Sequence, residues 1–386
     1  MKIETKAVHS GDRGKTGDHI PVTTPIHTAA SYFYENVAEL DRVFGDERPG
    51  FAYGRYNNPS NAALEHLMAD LEGGDDALAC ASGMAALHLA ITAVLIDRRK
   101  SVLAASAMYG ATVALLNQMF EPFGVNIRYV DICNLDALRA AISQAKPGCI
   151  LLETIANPLL QVAELDKICK IAKEADIPVV VDNTFATPLL VRPLELGASV
   201  VVHSATKYLS GHGDVLGGFI VAGQEHMQQV RALSRIYGPI LGPFECYLSM
   251  RGIKTFPLRM ERQCRNACRI ASWLSTHPGV SKVYFPQGEV VQRLFPADLH
   301  GAMVSFELKE GGRQDVFRWM DKLNLVVRAT SLGDVHTMVL YPAISSHRDL
   351  APKQRERLGI RENLIRLSVG IEAPEDIIAD LEQAFA

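Results

Sequence analysis

Two apolar runs in this chain each end in a residue able to do chemistry. Val179-Val180-Val181-Asp182-Asn183-Thr184 delivers a carboxylate at the end of a β-type run. Val200-Val201-Val202-His203-Ser204-Ala205-Thr206-Lys207 delivers an amine, and Lys207 stands twenty-five positions after Asp182. A lysine and a buried carboxylate at neighbouring strand ends are what pyridoxal phosphate requires. The lysine forms a Schiff base, and the carboxylate keeps the pyridine nitrogen protonated so that the ring takes up electrons. A plain ion pair would leave unexplained the cluster Ser204, Thr206, Ser210, Gly211 and Gly213 around the lysine. Ser82-Gly83-Met84 adds a glycine turn at a helix start, whose free N–H groups and dipole suit a phosphate.

Competing motifs fail on spacing or order. Gly11-x-x-Gly14-Lys15-Thr16 has two residues between its glycines where a phosphate loop has four, and no strand precedes it. Gly-x-Gly-x-x-Gly is absent, so nicotinamide chemistry has no support. Ser204-x-x-Lys207, Tyr56-x-Asn58 and Lys15-Thr16-Gly17 imitate the motifs of penicillin-recognising enzymes, but in reversed chain order.

The elements that must position these residues follow a regular alternation. Apolar strand candidates lie at 77–81, 101–105, 126–130, 149–153, 178–182, 198–203 and 218–221. Helical segments at 61–71, 84–96, 112–120, 135–144 and 164–174 separate most of them. Apolar strands alternating with helices predict a mostly parallel sheet covered on both faces, which binds ligands at its carboxyl edge. Residues 1–60 are rich in Gly and Pro and read as an irregular arm draped over something, such as another subunit. Residues 61–250 read as the cofactor-binding domain and 251–386 as a smaller α/β domain. The latter has a long helix over 254–275, strands near 302–308 and 364–369, and a terminal helix from about Pro374.

Composition narrows the class further. The chain has 386 residues, 48% apolar and 21% charged, enough for a large core. A net charge of −4 argues against a nucleic-acid binder, which needs a basic surplus. Ala77–Ile96 carries no Asp, Glu, Lys or Arg, yet its Ser82-Gly83 turn reads as strand, turn and buried helix rather than a membrane span. Seven cysteines without a Cys-x-x-Cys pair fit a reducing cytoplasm. Cys264 and Cys268, one helical turn apart, read as core or rim thiols rather than metal ligands.

Jointly, several motifs resemble the Cys/Met-metabolism pyridoxal-phosphate enzymes. They are His203-Ser204-Ala205-Thr206-Lys207-Tyr208, Val181-Asp182-Asn183-Thr184, Glu153-x-x-x-Asn157-Pro158, Ser82-Gly83-Met84 and Tyr53-x-Arg55-x-x-Asn58-Pro59. The resemblance spans nearly the whole chain, with the motifs in order. It implies the PLP-dependent transferase fold type I (aspartate aminotransferase-like), a mostly parallel seven-stranded sheet with a smaller C-terminal α/β domain. It also implies a homotetramer built from catalytic dimers. Lys207 would carry the cofactor, Asp182 would pair with its pyridinium, and Tyr109 would stack on the ring and act as acid or base. Gly83, Met84, Ser204 and Thr206 would hold the phosphate, with Tyr53 and Arg55 reaching it from the neighbouring subunit. Asn157 would touch the ring hydroxyl. Arg366 would clamp the substrate α-carboxylate, with Ser331 lining the same pocket.

The family eliminates or replaces substituents at the β or γ carbon. Cystathionine synthases have an arginine where Ala114 stands, so the alanine resembles methionine γ-lyase, as does Ser331-Leu332-Gly333-Asp334. The methionine lyase pattern also has a cysteine at Ala111 and a Lys-Asp pair at Ser234-Arg235; both are lacking here. A glutamate common near the pocket is replaced by His336, and 339–348 departs from the usual His-Pro-Ala-Ser-x-Thr-His. A methionine γ-lyase-like enzyme is the leading expectation, with a γ-replacement synthase as the alternative. These departures leave room for γ-substituents with a nitrogen or oxygen leaving group, as in canavanine. His336 and His347 would either tune protonation of the leaving group or serve the structure.

Overall fold

Seven strands, β1 (Asp76–Cys80), β2 (Ser101–Ala105), β3 (Asn126–Val130), β4 (Cys149–Glu153), β5 (Val179–Asp182), β6 (Val200–Ser204) and β7 (Gly218–Ala222), make one sheet. Its order is β1-β7-β6-β5-β4-β2-β3. β3, β2, β4, β5 and β6 run parallel, and β7 lies antiparallel between β6 and β1. The computed structural model describes residues 1–14, 18–348 and 352–386. Lys15, Thr16 and Gly17 of the two competing motifs lie outside them.

The strands are those expected from the apolar runs. The inner ones are buried on both faces: every residue of β4 and β7 is buried. Edge strand β3 instead exposes Asn126, Arg128 and Tyr129. Helices Pro59–Glu72, Gly83–Leu95, Leu135–Ala145 and Leu165–Glu174 connect or cover the strands. Three of them start at a side-chain cap. Asn58 accepts from the Ser60 N–H, Ser82 from Ala85 and Asn134 from Ala137. The first of these helices begins with Pro59 and ends at Gly73 in the left-handed region, φ 77°.

The segment expected as one helix over 112–120 is shorter and broken. An α-helix covers Gly110–Leu115, then a π turn covers Leu116–Phe120. Pro122 cannot donate to a continuing helix, and the chain loosens ahead of it. The first sixty residues also hold two short helices, Ile3–His9 and Val37–Phe44. Seven or eight residues are too few to register as a helical period in sequence. Helices Gln224–Tyr237 and Pro243–Ile253 likewise go beyond the sequence reading.

From Val280 a second sheet forms: β8 (Val280–Tyr284), β9 (Met303–Leu308), β10 (Val327–Arg328), β11 (Met338–Leu340) and β12 (Leu364–Ser368). Its order is β10-β11-β12-β9-β8. The helices Phe256–Thr276 and Pro374–Phe385 pack on it, and Phe306, Trp319, Ile365, Leu367 and Leu381 share their own apolar cluster. Cys264 is buried in the long helix while Cys268 is exposed. Among the described residues no helix is long and apolar enough to cross a membrane. The uncharged stretch Ala77–Ile96 is β1, a turn and the helix Gly83–Leu95.

Candidate active site

The carboxyl ends of three parallel strands meet at one place. β4 ends at Glu153 and β5 at Asp182, and the two are register partners. Lys207 follows in the turn just beyond β6. These side chains open into a cavity of about 430 Å³. Gly83, Met84, Tyr109, Asn157, Ser204, Thr206 and Arg366 also line it.

Lys207 donates from Nζ to Ser331 Oγ at 3.1 Å. Burial, reinforced by the Arg366 charge, pulls its ammonium from the usual 10.5 down to about 8. Asp182 accepts from the Thr184 N–H at 3.0 Å, and burial raises its carboxyl above the ordinary range. Glu153 accepts from the Tyr109 N–H at 2.7 Å and the Asn157 N–H at 3.0 Å. Burial raises it, and the Asp182 charge beside it raises it further. Two carboxyls this close in a dry setting resist carrying two charges. One carboxylate thus fixes the backbone of two cavity residues forty-eight positions apart in sequence.

Arg366 arrives from the second sheet. In β12 it alternates with Ile365 and Leu367, which belong to the apolar cluster, so its side chain takes the opposite face. Its Nη1 donates to Asn157 Oδ1 at 2.7 Å, and the guanidinium carbon lies 5.9 Å from the Phe185 ring centroid. Nε is buried without a hydrogen-bond partner. Burial lowers this arginine to about 10.

The Ser82-Gly83 turn is shaped by close approach. A Cβ on Gly83 would sit 2.9 Å from the Ser204 Cβ, and one on Gly218 would sit 2.3 Å from the Ser82 carbonyl oxygen. In the first turn of the helix, Ala85 donates to the Ser82 hydroxyl and Ala86 to the Ser82 carbonyl. That leaves the Gly83 and Met84 N–H groups, both on the cavity wall, with no acceptor in the helix.

Three sequence-selected residues are not brought to this cavity by their own chain. The Tyr53 ring is partly exposed, and Arg55 stacks over Tyr53 and Tyr56 at 5.4 and 5.0 Å. His336 leaves 67% of its side chain exposed and pairs with Asp334 Oδ1 at 2.8 Å. Ser331 touches Lys207 directly. His347 is buried and borders the cavity through Ser346. The sequence reading did not single out the carboxylate of Glu153 as a site group, nor Thr184, Ser345 or Ser346, all on the wall. Glu153 had a signal, since it ends an apolar run next to the one ending in Asp182. His203, beside Ser204, turns away and pairs with Glu72 Oε1 at 2.5 Å, fully buried.

Pyridoxal phosphate fits these residues. The cavity offers an amine of lowered pKa, a carboxylate and a phenol. It also offers a glycine turn with two free N–H groups, and an arginine whose buried Nε lacks a partner.

Comparison with known proteins agrees. The family model described as "Cys/Met metabolism PLP-dependent enzyme" matches residues 4–386. The L-methionine gamma-lyase of Fusobacterium nucleatum subsp. nucleatum is 41% identical over 99% of this chain and 97% of that protein. The O-succinylhomoserine sulfhydrylase of Pseudomonas aeruginosa is 37% identical over 100% of this chain and 95% of that protein. The crystal structure of cystathionine gamma-lyase from Lactobacillus plantarum, complexed with L-serine, superposes with a TM-score of 0.91. It is 34% identical and covers 100% of this chain and 98% of that one. The architecture is PLP-dependent transferase fold type I. With the lysine, the carboxylate and the glycine turn converging on one cavity, and with likeness over nearly its whole length, the chain belongs to the Cys/Met metabolism family of pyridoxal-phosphate-dependent enzymes.

Proposed function

We propose that this chain is a γ-lyase that removes the γ substituent of a methionine- or homoserine-type L-amino acid. The carrying observation is Lys207: an amine with its pKa lowered to about 8, in a cavity shared with Tyr109 and Arg366. Pyridoxal phosphate, when bound, supplies the aldehyde that joins an amine and a ring that draws electrons from the α carbon.

The chain's own residues do the rest. Arg366 and Ser331 hold the α-carboxylate, and the free Nε gives the guanidinium a second donor for a forked grip. Lys207 Nζ takes the α proton and then serves at the β carbon; a pKa near 8 lets it both accept and release a proton near neutral pH. The Tyr109 hydroxyl gives a proton to the γ heteroatom as its bond to carbon breaks. The heteroatom group leaves protonated, and water then releases a 2-oxo acid and ammonium. With the cofactor bound, Asp182 would pair with the ring nitrogen and Asn157 with the ring hydroxyl. Gly83, Met84, Ser204 and Thr206 would hold its phosphate.

We extend the proposal to the assembly. Tyr53 and Arg55 complete the phosphate site of a neighbouring subunit in a homotetramer of catalytic dimers. The arm 1–60 reaches that neighbour, 61–250 binds the cofactor and 251–386 closes the site. Exposed Phe33, Leu216 and Leu258 support a covered surface. Seven free thiols support a reducing cytoplasm.

Replacement at the γ carbon, of the O-acylhomoserine sulfhydrylase or cystathionine γ-synthase type, is the second reading, carried by the likeness to the sulfhydrylase. A panel of methionine, homocysteine, cystathionine, acylated homoserines and canavanine, with and without sulfide, separates the two. Release of 2-oxo acid from amino acid alone supports the lyase. Strict dependence on sulfide or a thiol overturns it in favour of the synthase.

A further inference from the structure

Ser345 and Ser346 lie on the cavity wall beside the turn that carries Tyr109. The two segments are locked together. A Cβ on Gly110 would fall 2.0 Å from the Ser346 carbonyl oxygen, and His347 reaches back to Met108.

A serine hydroxyl has one hydrogen to give and two lone pairs to offer. Ser345 gives its hydrogen to the Tyr341 carbonyl at 2.6 Å. Ser346 Oγ lies 2.9 Å from His347 Nδ1, and His347 Nε2 lies 3.3 Å from the Met108 carbonyl. The ring also faces the Asn157 carbonyl; carbonyls only accept, and with Met108 at Nε2 that nitrogen carries the ring hydrogen. Burial drives His347 down to about 4, so the ring is neutral and Nδ1 is a bare acceptor. Ser346 therefore donates to Nδ1. Both hydroxyl hydrogens are consumed inside the protein, and the two oxygens have only lone pairs left for a ligand.

We propose that Ser345 and Ser346 form an acceptor-only specificity site, selecting amino acids whose γ substituent ends in N–H or O–H donors over thioethers such as methionine. A thioether has no hydrogen to give. Seating its methyl group against two oxygens strips them of water with no replacement partner. A site built to bond a donor rejects the analogue that lacks one. A nitrogen-rich substituent such as an amidine or guanidine can satisfy both oxygens at once.

The inference rests on the γ-lyase reading for the orientation of the substrate, so its test includes ligands that carry no γ leaving group. In the wild-type holoenzyme, arginine ends in N–H donors and norleucine in a methyl. The expected result is tighter competitive inhibition by arginine, and a higher kcat/KM for canavanine, an oxyguanidine on the γ carbon, than for ethionine. The S345A and S346A variants should each shift the arginine-to-norleucine ratio toward norleucine by on the order of tenfold. S346T, which keeps the hydroxyl, should retain the wild-type ratio. The visible absorption of the bound cofactor reports whether each variant is intact. Should one variant lose the cofactor, the wild-type inhibition order and the other variant still decide. Tighter binding of norleucine by the wild type, or a ratio unmoved in the alanine variants, overturns the inference. Absence of 2-oxo acid release without sulfide overturns the lyase reading alone and leaves the inhibition order standing.

Discussion

An amine shut away beside a guanidinium gives up its proton more easily than one in water, and Lys207 is such an amine. The consequence is measurable in the cofactor-free protein. The unfolded chain holds this proton up to about pH 10.5, the folded chain only to about pH 8. Between those values the unfolded state binds more protons, so stability rises with pH across that window; below pH 8 the buried charge is a constant penalty. Urea unfolding at pH 8 and pH 10 should show this rise, of order 1–3 kcal/mol. K207M should lose it; an equal rise in the variant would show that the lysine is not the group responsible. At this scale the sequence was most legible where a reactive residue ends an apolar run, as Asp182 and Lys207 do. The contact of Glu153 with the Tyr109 N–H depends on how β4 and a distant turn pack, and no spacing reports that. Ser345 and Ser346 follow a three-residue strand, too short to announce itself.

The inner strands of the main sheet were readable because continuous burial demands continuous apolar sequence, whereas edge strand β3 keeps three exposed residues. The short helices of the first sixty residues and the π turn ahead of Pro122 were not, since neither length nor period marks them. The helix Pro59–Glu72 is tied to the sheet through its last residue. Glu72 Oε1 accepts from Asn183 Nδ2 at 2.9 Å and meets His203, while Thr154 Oγ1 donates to Asn183 Oδ1 at 2.7 Å. His203, which read in sequence as part of the lysine motif, is thereby a joint between helix and strand behind the cavity. The glycine turn at the start of the helix Gly83–Leu95 makes a sharper claim. A methyl group at Gly83 would press on the Cα and Cβ of Ser204, neither of which is a flexible side-chain end. G83A should therefore weaken pyridoxal phosphate by roughly tenfold or more, a cost of at least 1–3 kcal/mol for a crowded close-packed site. The readout is a reconstitution titration followed by visible absorption. Wild-type affinity in G83A would mean that this turn does not cradle the phosphate.

For the whole molecule, the placement of Tyr53 and Arg55 is the telling fact. Both lie outside the cavity of their own chain, and Arg55 stacks on Tyr53 and Tyr56 instead. If they complete a neighbour's site, defects in different subunits should complement. R55A and K207A, each inactive alone, should regain up to about a quarter of wild-type activity on mixing and subunit exchange, because randomly formed mixed dimers carry one intact site. No recovery after proven exchange would place Arg55 in service of its own chain. The sequence suggested an arm that serves another copy, but not which surface receives it. Phe33 and Leu258 are both exposed apolar residues far apart in the chain, and their exposure is legible only in the fold.

One detail of the main sheet bears on how the reactive amine could ever be lost. Ser204 and Gly218 are register partners on β6 and β7, so residues 205–217 leave the sheet and come back to the same rung. Inside that excursion Ala205 donates to the Gly217 carbonyl at 2.9 Å, and Gly217 donates to Thr206 Oγ1 at 3.1 Å. The segment is a closed ring rather than a dangling flap. Lys207 has no private route to disorder; any fraying that frees it must take the middle of the sheet along.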